Sequence, residues 1–140
     1  MLNTAADNDD EQWLHVVAAV IPDESDRILL ARRPANKHQG GKWEFPGGKV
    51  ESAESARTAL ARELQEELGI SADSDRMQAF TEIRHRYPDK NIFLDVWLVR
   101  EFSGEPRGCE GQEVCWFPKS DLSKLDFPAA NSPIIDKLLS

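Results

Sequence analysis

Three glutamates, Glu63, Glu66 and Glu67, stand at i, i+3 and i+4 in the segment Arg62-Glu-Leu-Gln-Glu-Glu-Leu-Gly-Ile70. At 3.6 residues per helical turn they share one face. Leu60, Leu64 and Leu68 recur at i, i+4 and i+8 and occupy a neighbouring face, roughly a right angle away. One face can anchor the helix in a core while the other turns its carboxylates into a cleft. Arg62 lies four residues before Glu66, so its guanidinium can hold a carboxylate in place. Carboxylates this close repel one another, and two explanations compete. A solvated acidic helix face is the common one. Hard oxygen ligands gathered for Mg²⁺ or Mn²⁺ are the chemical one. Upstream, a Gly-Gly turn containing Gly48 and an isolated Glu54 precede the cluster, an order that favours the metal reading.

Elements must exist to position these groups. Residues 55–68 carry the one strong helical periodicity, with Ser55 or Ser52 available as N-cap and Gly69 as the stop. Trp13 to Ile21, rich in Val and Ala and ended by Pro22, reads as a buried strand. Pro22 to Asp26 has turn composition, and Arg27 to Arg32 reads as the returning strand of a hairpin. Pro34 to Lys42 is a loop, and Trp43 to Gly48 a short strand leading into a turn. Met77–Tyr87 and Asn91–Val99 read as strands around the turn Pro88-Asp89-Lys90. Gly104 to Gln112 is a Gly-rich loop, Val114 to Phe117 a short strand, and Pro133 opens a last helix over Ile134–Leu139. Strands, one strong helix, more strands and a terminal helix predict a mixed α/β sandwich.

Length and charge limit what such a molecule can do. The 140 residues predict one domain over 12–140, preceded by an acidic tail over 1–11 that reads as disordered. Formal net charge is −8, and four of the 25 acids (Asp7, Asp9, Asp10 and Glu11) lie in that tail, leaving 21 acids against 17 bases. An acidic chain without a basic block is a poor ligand for nucleic-acid polymers or anionic membranes. A small phosphate ligand remains open, because a divalent cation reverses the local sign. The longest apolar run, Val16 to Ile21, is far short of the ~20 residues of a spanning helix. The first ten residues do not read as a signal peptide, so a cytoplasmic monomer is the expectation. Cys109 and Cys115 make neither a disulfide framework nor a metal quartet, and Cys115 reads as a small core hydrophobe.

The spacing G-x5-E-x7-R-E-U-x-E-E-x-G-U, with U aliphatic, is filled at every defined position by Gly48, Glu54, Arg62, Glu63, Leu64, Glu66, Glu67, Gly69 and Ile70. That pattern resembles the Nudix box, and the chain is identified as similar to Nudix hydrolases. The resemblance implies the Nudix fold, an α/β/α sandwich with a mixed sheet and a loop-helix carrying the box. It also implies Mg²⁺-dependent (or Mn²⁺-dependent) hydrolysis of a nucleoside diphosphate linked to another group. Glu63, Glu66, Glu67, the carbonyl of Gly47 and Glu110 would hold the metal. Glu63 would lead as general base, with Glu66 and Glu110 as rivals, while Glu54 and Arg62 would brace the ligands.

Outside the box the chain resembles the MutT-type members, which hydrolyse 8-oxo-dGTP, over roughly residues 14–139. The matching segments are Trp43–Lys49, Tyr87–Lys90, Gly104–Pro106, Glu110–Gln112 and Asp126–Pro133. By that resemblance Asn131 reads the oxidised purine, and Arg33, His38, Glu44, Phe45, Pro46, Gly47 and Lys90 surround the nucleotide. The substrates implied are 8-oxo-dGTP and 8-oxo-GTP, cleaved to the monophosphate and pyrophosphate so that the nucleotide pool is sanitised and mutation prevented. Each residue also has a plainer reading: Asn131 a turn or helix-cap residue, Phe45 core, Arg33 a surface charge, His38 a loop histidine. His15 and His85 are assigned no role. Trp43 and Lys90 depart from the Leu and Arg of the family pattern, and Lys90 leaves the purine-side contacts open. Alternative substrates are an oxidised pyrimidine triphosphate, a dinucleoside polyphosphate or ADP-ribose, and the alternative class is a non-catalytic nucleotide-binding module.

Overall fold

Val17, Ala19 and Ile21 alternate with Ala18 and Val20, and both sets are buried, so the first strand needs cover on both faces. The computed structural model, which describes residues 12–36 and 40–140, shows how this is met. Strand β1 (Trp13–Val20) lies inside a mixed sheet, parallel to β7 (Lys90–Leu98) and antiparallel to β4 (Gly47–Lys49). Strand β6 (Gln78–Tyr87) closes the far edge, antiparallel to β7. A second, antiparallel sheet has the order β3 (Trp43–Glu44), β2 (Arg27–Arg32), β9 (Glu113–Pro118). Helix α1 (Ala56–Leu68) buries Ala59, Leu60, Leu64 and Leu68 against Val17, Ala19, Ile21 and Leu29. On the opposite side Ala18, Val20, Ile28, Leu30, Leu94 and Val96 pack with Phe45, Leu122 and Ile134 of helix α2 (Ser132–Leu139). The expected α/β/α layering is therefore present.

Local chemistry explains where α1 starts and stops. The Ser55 hydroxyl accepts the Thr58 N–H at 3.2 Å, so Ser55 rather than Ser52 is the cap. Gly69 ends the helix at φ 71°, a left-handed conformation that costs glycine nothing. That fixes which turn of the helix Glu63 and Glu67 occupy.

The expected β1–β2 hairpin needs correction. Its turn exists, with Asp23 N–H donating to Arg27 O at 2.9 Å and Leu29 N–H to Ile21 O at 3.1 Å. Beyond that point the strands part into different sheets, because both edges of β1 are taken by β4 and β7. Lys90 belongs to β7 rather than to the preceding turn, and α2 begins at Ser132 rather than Ile134. The two-residue strands β5 (Ser71–Ala72) and β8 (Phe102–Ser103), and the 3-10 turns Ser74–Arg76, Lys119–Lys124 and Ala129–Asn131, were not expected. Segments so short carry no periodicity to read. The expected tail over 1–11 and His38 lie outside the described residues. Among the described residues no helix is long and apolar enough to cross a membrane.

Candidate active site

Arg62 leaves α1 toward the loop that follows β4 and binds it with the full width of its fork. Its Nε and Nη2 donate to the two oxygens of Glu54 at 2.7 and 2.9 Å, and Nη2 also to the Lys49 carbonyl at 3.0 Å. Nη1 reaches Glu63 at 3.1 Å and Glu66 at 3.4 Å. One planar cation thus ties the loop to two of the three helix glutamates. The Arg62 bonds, helped by the Glu51 N–H at 2.9 Å, hold the Glu54 carboxyl down at a pKa of about 2. The folded value lies below the ordinary 4.5, so the stabilisation is complete above about pH 5 and lost as pH falls toward 2. Glu54→Gln should therefore be less stable than wild type near neutrality, and the gap should close through that acid window. Urea denaturation at stepped pH measures it, and a gap independent of pH would remove this carboxylate from the brace.

The Glu63 carboxylate lies directly against Gly48, where any Cβ would collide with it. Glycine at this position lets α1 bring Glu63 up to β4. Glu67, one turn on, is half-buried. Burial first, then a hydrogen bond shared with Glu63 and the charges of Glu63, Glu44 and Glu110, push its carboxyl up to about 9. Glu66 points further out, its side chain 53% exposed. Among the described residues no three His, Cys, Asp or Glu side chains are already gathered into a metal-holding cluster. Arg62 draws Glu63 and Glu66 to itself instead. The donor set still fits a hard divalent cation: Glu63, Glu66, Glu67, Glu110 and the Gly47 carbonyl offer oxygen alone. A half-buried carboxyl facing three others is a charge pattern that such a cation would relieve.

Beside these residues opens a cleft of about 260 Å³. Leu14, Val16, Ile92 and Leu94 form its apolar floor. Gly47, Gly48, Glu44 and Arg33 stand toward the glutamates, and Tyr87, Lys90 and Asn131 toward α2. Arg33 donates to Glu44 at 2.7 Å; burial raises the Glu44 carboxyl, and the Arg33 charge opposes that shift. Phe45 is 4% exposed and stacks on Phe127 at 5.7 Å, so it is core and cleft wall at once. The Pro46 carbonyl accepts the Ala19 N–H at 2.8 Å, a backbone tie between the β3–β4 connection and β1. Asn131 is 8% exposed, lines the cleft, and makes no side-chain capping bond to α2. Asn131 thus holds the turn and N-cap position of its plain reading, while its side chain makes no capping bond.

Glu110 sits in the loop after β8, its N–H held by the Gln112 side chain at 2.9 Å. Gln112 also donates to the Glu67 carbonyl at 2.9 Å, as does the Cys109 N–H. Nothing in the local sequence around Gln112 points to this role. Its place at the last turn of α1 is a contact across 45 residues, for which no local spacing exists. The same holds for Tyr87, whose hydroxyl meets the Ala130 N–H across 43 residues.

A family model described as NUDIX domain matches residues 16–137. The chain is 42% identical over 125 residues to an 8-oxo-dGTP diphosphatase of Escherichia coli K12, covering 89% of this chain and 95% of that protein. It is 38% identical over 129 residues to a CTP pyrophosphohydrolase of the same organism, covering 92% and 93%. A solved structure from work on MutT of Aliivibrio salmonicida and Vibrio cholerae superposes with TM-score 0.78 at 39% identity, covering 91% and 98%.

Proposed function

The chain belongs to the Nudix family of hydrolases, and from that premise we propose that it cleaves oxidised purine nucleoside triphosphates, 8-oxo-dGTP and 8-oxo-GTP, to the monophosphate and pyrophosphate. The observation that carries the substrate is Asn131, a nearly buried amide in the cleft whose side chain makes no capping bond to its own helix. The relative acting on 8-oxo-dGTP supports it. Cleavage of this substrate in the nucleotide pool would prevent its incorporation into DNA.

In the reaction a water oxygen bonds to the β-phosphorus, and the bridging oxygen leaves with the monophosphate. Glu63 is our candidate to take the proton of that water, with Glu66 and Glu110 as the alternatives. General-base catalysis needs the base within hydrogen-bond reach of the proton it takes, so position must supply much of the effect. Arg62 and Glu54 give it that position, and Gly48 gives it room. Glu63, Glu66, Glu67, Glu110 and the Gly47 carbonyl would hold Mg²⁺, which when bound neutralises phosphate charge and acidifies water. Arg33 and Lys90 bring cations to the cleft, Phe45 an apolar wall.

A second reading, a pyrimidine triphosphate, has the likeness to the CTP pyrophosphohydrolase behind it. One assay separates them: Mg²⁺-dependent pyrophosphate release from 8-oxo-dGTP, dGTP, 8-oxo-GTP, CTP, an oxidised dCTP and ADP-ribose. We expect 8-oxo-dGTP to give the highest kcat/KM and EDTA to abolish turnover. A preference for CTP, the oxidised pyrimidine or ADP-ribose would overturn the purine reading.

A further inference from the structure

Tyr87 ends β6, cross-strand from Lys90, and its ring lines the cleft. Its hydroxyl oxygen accepts the backbone N–H of Ala130 at 3.0 Å, across 43 residues of chain. Ala130 is 4% exposed and lies in the 3-10 turn Ala129–Asn131. Asn131 ends that turn with its own N–H on the Pro128 carbonyl at 3.0 Å. Its side chain makes no capping bond, so the direction of the amide follows from the backbone that carries it. The Tyr87 ring is itself steadied by His85, edge-on at 4.5 Å.

We propose that Tyr87 is a positioning residue for base recognition: its hydroxyl pins the Ala130 backbone and so aims the Asn131 amide into the cleft. This rests on the reading that Asn131 recognises an oxidised purine. A phenyl ring in the same place would fill the same space and leave a buried N–H without its acceptor. The turn would then carry Asn131 through a wider range of directions. A base matched to one direction would lose more than a base that is not.

The test is Tyr87→Phe, assayed with 8-oxo-dGTP and dGTP in wild-type and Asn131→Ala backgrounds. In the wild-type background the ratio of kcat/KM values should fall about three- to tenfold, the equivalent of one net hydrogen bond. The loss should come through KM for 8-oxo-dGTP rather than kcat. In the Asn131→Ala background Tyr87→Phe should not lower the ratio further, because both changes act through the same amide. Exchange of the Ala130 amide proton, followed by NMR, should quicken in Tyr87→Phe. An unchanged ratio, an equal further loss in the Asn131→Ala background, or unaltered Ala130 exchange would each overturn the proposal alone. A wild-type enzyme without preference between 8-oxo-dGTP and dGTP would overturn the substrate reading and this inference with it.

Discussion

Glu67→Gln should lower kcat by on the order of 10²–10⁴-fold while leaving the protein folded. The amide keeps the shape of the carboxyl and one acceptor oxygen, and it cannot carry charge. Glu67 is the carboxyl whose surroundings most oppose its charge, and so the one that a cation would have to ionise. It is half-buried, hydrogen-bonded to Glu63, and faced by Glu44 and Glu110. Nothing in the scaffold depends on its ionised form: the bonds from Cys109 and Gln112 go to its backbone carbonyl. With its carboxyl pushed up to about 9, Glu67 is uncharged near neutrality, and a neutral amide of the same shape keeps its place beside Glu63, so the melting temperature should not drop. Pyrophosphate release at saturating Mg²⁺ gives kcat, titration calorimetry gives Mg²⁺ affinity, and circular dichroism checks the fold. Both kcat and Mg²⁺ affinity should fall. Wild-type turnover in the variant would take Glu67 out of the metal site.

The legible part of this protein is what its local spacing encodes. The three glutamates and three leucines fall on adjacent faces because one period, 3.6, governs both. From it alone the helix, its burial and the direction of its carboxylates follow. Strand β1 was legible for a related reason: an unbroken apolar run implies burial on both faces. The sheet to which β2 belongs was not, since a turn and an apolar segment fit a hairpin and a crossing between sheets equally well. The cleft was legible only through resemblance. Asn131 and Tyr87 are 44 positions apart, and neither amide nor phenol has a spacing that points to the other. Their meeting depends on Pro128, which starts a 3-10 turn too short for any pattern, and on the edge where β6 ends. Charge was half legible. A net −8 argued against nucleic-acid polymers and left a small phosphate ligand open, and several of those acids surround one another at Glu67, where a cation among them would relieve their repulsion.

Asn131→Ala should reduce discrimination between 8-oxo-dGTP and dGTP by about 10- to 100-fold, the equivalent of one buried mismatch. Oxidised guanine presents N7–H beside O6, where guanine has a bare N7 acceptor. One amide can donate to O6 and accept from N7–H, whereas with dGTP the same amide oxygen meets a lone pair. Truncation removes both the good match and the bad one. The kcat/KM for 8-oxo-dGTP should therefore fall steeply and that for dGTP far less. Structure bears on how clean this experiment is. Asn131 is 8% exposed but makes no capping bond to α2, so its loss removes no support from the helix. Pro133 in the first turn and Ile134, fully buried, keep α2 in place. A structural role would slow both substrates alike and lower the melting temperature in proportion. Asn131→Asp sharpens the comparison, because a carboxylate accepts from N7–H and repels O6. It should bind the oxidised base worse than wild type, with no gain for dGTP. If the ratio of kcat/KM values in Asn131→Ala equals that of wild type, the purine is read elsewhere in the cleft and Lys90, at its rim, becomes the residue to replace.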